Sequence, residues 1–134
     1  MPFTQDEKNE MLKGESIIVY GAFSEKNELM SVSGLFPDPS NFGDLTELLK
    51  LNPAETTELG GCMTRPKFRG QNLMLRLNEY LLSVAKNQGY KNLIATAHPE
   101  NTASGKSLEK LGMKKVGQVN RSGKYLRDVF YLGL

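Results

Sequence analysis

The chain has 134 residues, 39% of them hydrophobic and 24% charged, with a net charge of +2; it reads as one domain, 1–134, large enough to bury a core. No apolar run approaches the roughly 20 residues that span a bilayer, the polar, acidic start is unlike a signal peptide, and the single cysteine, Cys62, excludes an internal disulfide and a cysteine zinc cluster and points to a reducing, cytoplasmic setting. Charge is polarised: residues 1–60 hold 11 acids and 4 bases and residues 61–134 hold 4 acids and 13 bases. The second half therefore invites an anionic partner, although without a dense Lys/Arg run or any Trp nucleic acid is not expected.

Thr4-Gln5-Asp6-Glu7 has the form of a capping box and opens a short helix that Gly14 ends. Ser16 to Phe23 is β-rich, Ser24 to Asn27 is a turn, and Glu28 to Phe36 alternates with Met30, Val32 and Phe36 on one side, so the two strands form a hairpin. After a loop from Pro37 to Gly43, Leu45, Leu48 and Leu49 mark a brief helix that Pro53 ends. Thr56 to Thr64 reads as a strand interrupted by Gly60-Gly61, the mark of a bulge or a close backbone approach. Gln71 to Gln88 is a helix, with Leu73, Leu77, Tyr80, Leu81, Val84 and Ala85 at helical spacing and Gly89 as its stop. Asn92 to Ala97 is a buried strand parallel to the Thr56–Thr64 strand, because strand, helix and strand in this length require a right-handed crossover. Asn101 caps a helix that Gly112 terminates, and Lys114 to Val119 and Tyr125 to Leu132 form a final hairpin.

Two stretches carry chemistry. In the first, Arg65-Pro66-Lys67-Phe68-Arg69-Gly70-Gln71-Asn72 joins a strand to the longest helix. A helix start leaves N–H groups unpaired and carries partial positive charge, so a basic, glycine-containing turn at that place suits a phosphate. Gly70 permits a sharp turn, and Asn72 tolerates a left-handed backbone. The second stretch runs from His98 through Asn101 and Ser104 to Leu111-Gly112-Met113, where another helix begins beyond the carboxyl end of a parallel strand.

From about Ser16 to the C-terminus these stretches resemble the GNAT superfamily of acyl-CoA-dependent N-acetyltransferases. Pro66-Lys67-Phe68-Arg69-Gly70 matches the family's phosphate turn, and Asn101, Ser104 and Glu109-Lys110-Leu111-Gly112 match its later helix. Asn72 and Met74 stand where the family has glycines, Leu108 stands where it often has a proton-donating Tyr, and its first strand and helix have no counterpart. The resemblance implies an α/β domain of α+β type: a mixed, mostly antiparallel twisted sheet with a central parallel pair and flanking helices.

It further implies transfer of an acetyl group from acetyl-CoA to the amine of a small molecule or a protein, without a metal. Coenzyme A would contact Cys62, Met63, Thr64, Arg69, Gly70, Gln71, Asn72, Leu73, Met74, Asn101 and Ser104. Two residues stand open as the base. Glu58 is on the strand where the family often places a carboxylate; His98 is the single histidine, ends the parallel strand, and has a ring whose ordinary range suits a base. The alternative is an acyl-CoA-binding sensor or subunit without catalysis, in keeping with Leu108. A C-terminal strand or an uncovered first edge would let a second copy pair with the sheet as a homodimer.

Overall fold

The computed structural model describes residues 17–121 and 125–134. The Thr4–Lys13 helix expected from the sequence and the tip of the last hairpin lie outside those residues. Six strands form one sheet in the order β1-β2-β3-β4-β6-β5: β1 Ile18–Phe23, β2 Leu29–Phe36, β3 Thr56–Thr64, β4 Asn92–Ala97, β5 Lys114–Arg121 and β6 Tyr125–Gly133. Every pairing is antiparallel except β3 with β4. That single parallel pair is made by the crossover through the helix Leu73–Asn87, as the spacing requires. The strand β6 lies between β4 and β5. The C-terminal strand is therefore not an edge, and the edges among the described residues are β1 and β5.

Three helices cover the two faces. Gly43–Leu49 (α1) and the preceding Phe42 lie over one face, where Phe42, Leu45, Ile94 and Val129 form a buried cluster. The helix stops at Lys50, in a left-handed conformation with φ 55°, ahead of the expected Pro53, and Leu48 is exposed. Leu73–Asn87 (α2) and Thr102–Leu111 (α3) cover the opposite face, over Leu35, Leu59, Leu93, Ala95 and Phe130. Successive residues of a strand point to opposite faces, so Leu93 and Ile94 feed different clusters.

The stripe of α2 differs from the expected one in one residue. Leu81 and Ala85 are fully buried, but Tyr80 is half exposed and makes an edge-to-face contact with Tyr20, ring centroids 4.7 Å apart. Asn78 is buried instead, because its amide has partners. Its Oδ1 accepts from the Ser33 hydroxyl at 2.6 Å, and Ser33 also lies 3.0 Å from the Cys62 sulfur. A buried amide so bonded escapes the penalty of an unpaired one. Ser31 and Ser33 are buried on the helix-covered face of β2, while Met30, Val32 and Phe36 are half-buried on the other. No helix among the described residues is long and apolar enough to cross a membrane.

Candidate active site

The parallel ladder is short. It runs from Thr56↔Asn92 to Leu59↔Ala95 and ends there, although both strands continue. The reason lies on the other side of β3. Between Gly34↔Gly60 and Val32↔Met63 the antiparallel register jumps, so Gly61 and Cys62 stand opposite Ser33 alone. This is a bulge, and Gly61 meets its demand with φ +63°. A bulge bends a strand and resets which face each residue takes. Leu59 and Cys62 consequently both join the α2/α3 side, which simple alternation forbids. Beyond Leu59, the edge of β3 that faces β4 has left the ladder.

The chain leaves β3 through a 3-10 turn, Pro66–Phe68, and enters α2 by way of two left-handed residues, Gly70 at φ 86° and Asn72 at φ 57°. No side chain caps α2, and its first backbone bond is Arg76 N–H to Asn72 O at 3.0 Å. The N–H groups of Leu73, Met74 and Leu75 precede that bond and have no partner within the helix. With the helix dipole behind them they form an anion-binding end. The start of α3 is capped by Asn101, as its sequence predicts. Asn101 Oδ1 accepts from Ser104 N–H at 3.1 Å, so one donor is already used.

Between these features lies a cleft of about 1130 Å³. Of the residues that the family resemblance assigns to coenzyme A, Cys62, Met63, Thr64, Arg69, Gly70, Asn72, Leu73, Met74, Asn101 and Ser104 line it; Gln71 is exposed and does not. Arg65 and Ser107, which stand in the two stretches singled out in sequence, line it as well, and so do four residues that the sequence did not point to: Met30 and Val32 of β2, and Lys106 and Lys110 of α3. The i, i+4 spacing of Lys106 and Lys110 was a legible signal for two of them. Ser107 Oγ is buried without a hydrogen-bond partner. Cys62 is a poor nucleophile here: burial pushes its thiol up, against the weaker pull of its bonds to Ser33 and Asn78.

The opposite mouth of the split is a second cavity of about 570 Å³ on the α1 face, lined in part by Phe36, Glu58, Gly60, Gly61, Thr96 and Arg121. Glu58 is largely buried there and pairs with Arg121 at 3.2 Å, while Arg121 also reaches Asp44 of α1 at 3.4 Å. Burial raises the Glu58 carboxyl above its ordinary range, and Arg121 opposes that shift in part. Arg121 lies 63 residues away in sequence, and no local pattern announces it. His98 is exposed, lines neither cavity, and accepts the Glu100 N–H on Nδ1 at 3.1 Å. Leu108 is 3% exposed and belongs to the core. No cluster of ligating side chains among the described residues suits a metal ion.

A family model described as an acetyltransferase (GNAT) domain matches residues 3–114. Many solved structures share the fold. A ribosomal-protein-S5-alanine acetyltransferase from Vibrio fischeri aligns with a TM-score of 0.71 at 15% identity, over 93% of this chain and 66% of its own. A spermidine N-acetyltransferase variant from Vibrio cholerae aligns with 0.69 at 12%, over 96% and 72%. A GNAT-family acetyltransferase from Bacillus anthracis aligns with 0.67 at 20%, over 98% and 75%. Identities this low carry the fold alone. No curated protein sequence matches the chain.

Proposed function

The chain belongs to the GNAT acetyltransferase family, and from that premise we propose that it transfers an acetyl group from acetyl-CoA to a primary amine by direct attack. The observation that carries the reading is the split between β3 and β4, with the uncapped start of α2 at one mouth and buried Glu58 at the other. The diphosphate of the donor would rest on the N–H groups of Leu73 to Leu75, with Arg69 beside it. Its pantetheine arm would follow the open edge of Gly60–Thr64. Asn101 and Ser104 would flank the arm, and the unpartnered Ser107 hydroxyl would gain a hydrogen bond from the ligand.

The acceptor would enter from the α1 face. Glu58, directly or through a water, would take a proton from the ammonium so that the amine can attack the thioester carbon. The C–N bond forms, and an N–H at the bulged strand near Met63 would hold the oxyanion. The C–S bond then breaks and releases a thiolate, which needs little help because a thiol pKa is about 8.5, and the proton left on nitrogen passes to solvent to give the neutral amide. That tolerance suits a chain with Leu108 in place of a phenol. We assign the base to Glu58 rather than His98, because His98 opens on neither cavity. Spermidine and a protein alanine, named for two structural neighbours, are both amine acceptors, and either a small molecule or a protein would suit this site. The free thiol of Cys62 suits a cytoplasmic setting.

The test is release of free thiol from acetyl-CoA with a panel of polyamines, amino acids and peptide amines. Turnover on at least one acceptor is expected. Coenzyme A binding without turnover on any of them would favour a non-catalytic acyl-CoA-binding module, the reading that the apolar Leu108 supports.

A further inference from the structure

Three charges meet on the α1 face, and their contacts are unequal. Arg121 ends β5, which lies three places from β3 in the sheet, so it meets Glu58 across the face of the sheet and not along a ladder. It turns the Nε–Nη2 edge of its guanidinium to Asp44, with Nε 3.4 Å from Oδ2 and Nη2 3.5 Å from Oδ1. Only Nη1 reaches Glu58, donating to Oε2 at 3.2 Å. Among the described residues nothing holds Glu58 Oε1. The side chains of Asp44, Arg121 and Glu58 are 47%, 26% and 13% exposed, so the anchor stands nearest to water and the carboxylate in the cavity farthest from it.

A buried base needs a charge at working pH, which burial opposes, and an oxygen that no other group occupies. A two-pronged Arg–carboxylate pair would favour the charge but occupy both oxygens. Here the fork is engaged by Asp44, and a single prong is left for Glu58. Arg121 draws the Glu58 carboxyl down, while burial and the Asp44 charge push it up. Besides these three, no titratable side chain among the described residues lines this cavity. Two carboxylates against one guanidinium leave an excess negative charge, which a cationic amine cancels. We infer that Arg121 is the positioning residue of the base: anchored by Asp44, it clamps Glu58 Oε2 and leaves Oε1 to take the proton of the acceptor ammonium. This role rests on the reading of Glu58 as the base.

The test is the acidic limb of kcat/KM, measured with the amine that turns over best, for the wild type, Arg121→Gln, Arg121→Lys and Asp44→Asn. A thermal melt checks that each variant folds. Titration of the Glu58 carboxyl by carbon NMR, its signal assigned by loss in Glu58→Gln, follows the same group without turnover. Arg121→Gln removes an adjacent opposite charge, so the carboxyl titrates higher and the limb moves up by about one pH unit. On the plateau above the limb kcat should fall while KM for acetyl-CoA holds. Arg121→Lys keeps the charge and should bring the limb back toward the wild-type position. Asp44→Asn removes a like charge and should move the limb down. A merely structural defect would not give opposite shifts in two variants. A limb or a carboxyl titration that Arg121→Gln leaves unmoved, or that both variants move the same way, would overturn the role of Arg121 and leave the acetyl-transfer reading standing. If the wild type turns over no amine, the transfer reading falls and this role with it, whatever the carboxyl titration shows.

Discussion

Glu58 joins three properties that are rarely found together by chance: a carboxylate, burial, and a position at the mouth of a strand split. Native Glu58 holds its proton more tightly than the unfolded chain does, so the folded state binds more protons just above the ordinary glutamate value of 4.5. Stability attributable to this residue therefore falls as pH rises from that value through the raised one. The same shift moves the acidic limb of kcat/KM upward, since only the deprotonated carboxylate accepts a proton. Glu58→Gln should abolish that limb and lower kcat by roughly 10²–10⁴-fold; pH–rate profiles of both proteins decide it, and an unchanged limb in the variant would remove Glu58 from the chemistry. The strand position of Glu58 was legible in sequence. Its partner Arg121 was not, because a pair separated by 63 residues leaves no local periodicity. His98 shows the opposite failure: a lone histidine at a strand end is conspicuous in sequence, yet here its ring accepts a bond from its own turn.

At the scale of elements, the bulge in β3 is the device from which the split follows. Gly60-Gly61 announced it, because paired glycines inside a strand have few other uses. The strand Asn92–Ala97 was equally legible from its apolar run between breakers. The face assignments around the bulge were not, since one extra residue inverts parity and no single sequence says which residue is extra. The buried Asn78 of α2 was hidden for a related reason: its partners, Ser33 and Cys62, come from the strands β2 and β3. Gly61→Ala tests the bulge directly. An added Cβ would meet Phe36 no closer than 3.6 Å, so crowding is not the cost. The cost is the left-handed backbone, about 1–2 kcal/mol for an L-residue. A lower denaturant midpoint at unchanged slope is expected, together with weaker coenzyme A binding, while Gly60→Ala, outside the left-handed range, should have the smaller effect on both. Equal effects from the two would mean that the bulge geometry is not what opens the strands.

Over the whole molecule, the charge polarity of the sequence becomes an arrangement in space. All four cations of the larger cleft come from the basic second half, whereas Glu58 and Asp44, on the α1 face, come from the acidic first half. The sheet stands between them, and the gap beyond Leu59 and Ala95 is where its two faces approach each other. An anionic carrier on one side and a cationic amine on the other fit this division. The most direct measurement is a crystal structure of the protein with acetyl-CoA. Density for the pantetheine arm along Gly60–Thr64, with the diphosphate on the N–H groups of Leu73 to Leu75, is the expected result. Strands β3 and β4 zipped together past Leu59 and Ala95, with the ligand absent from the gap or bound elsewhere, would contradict it.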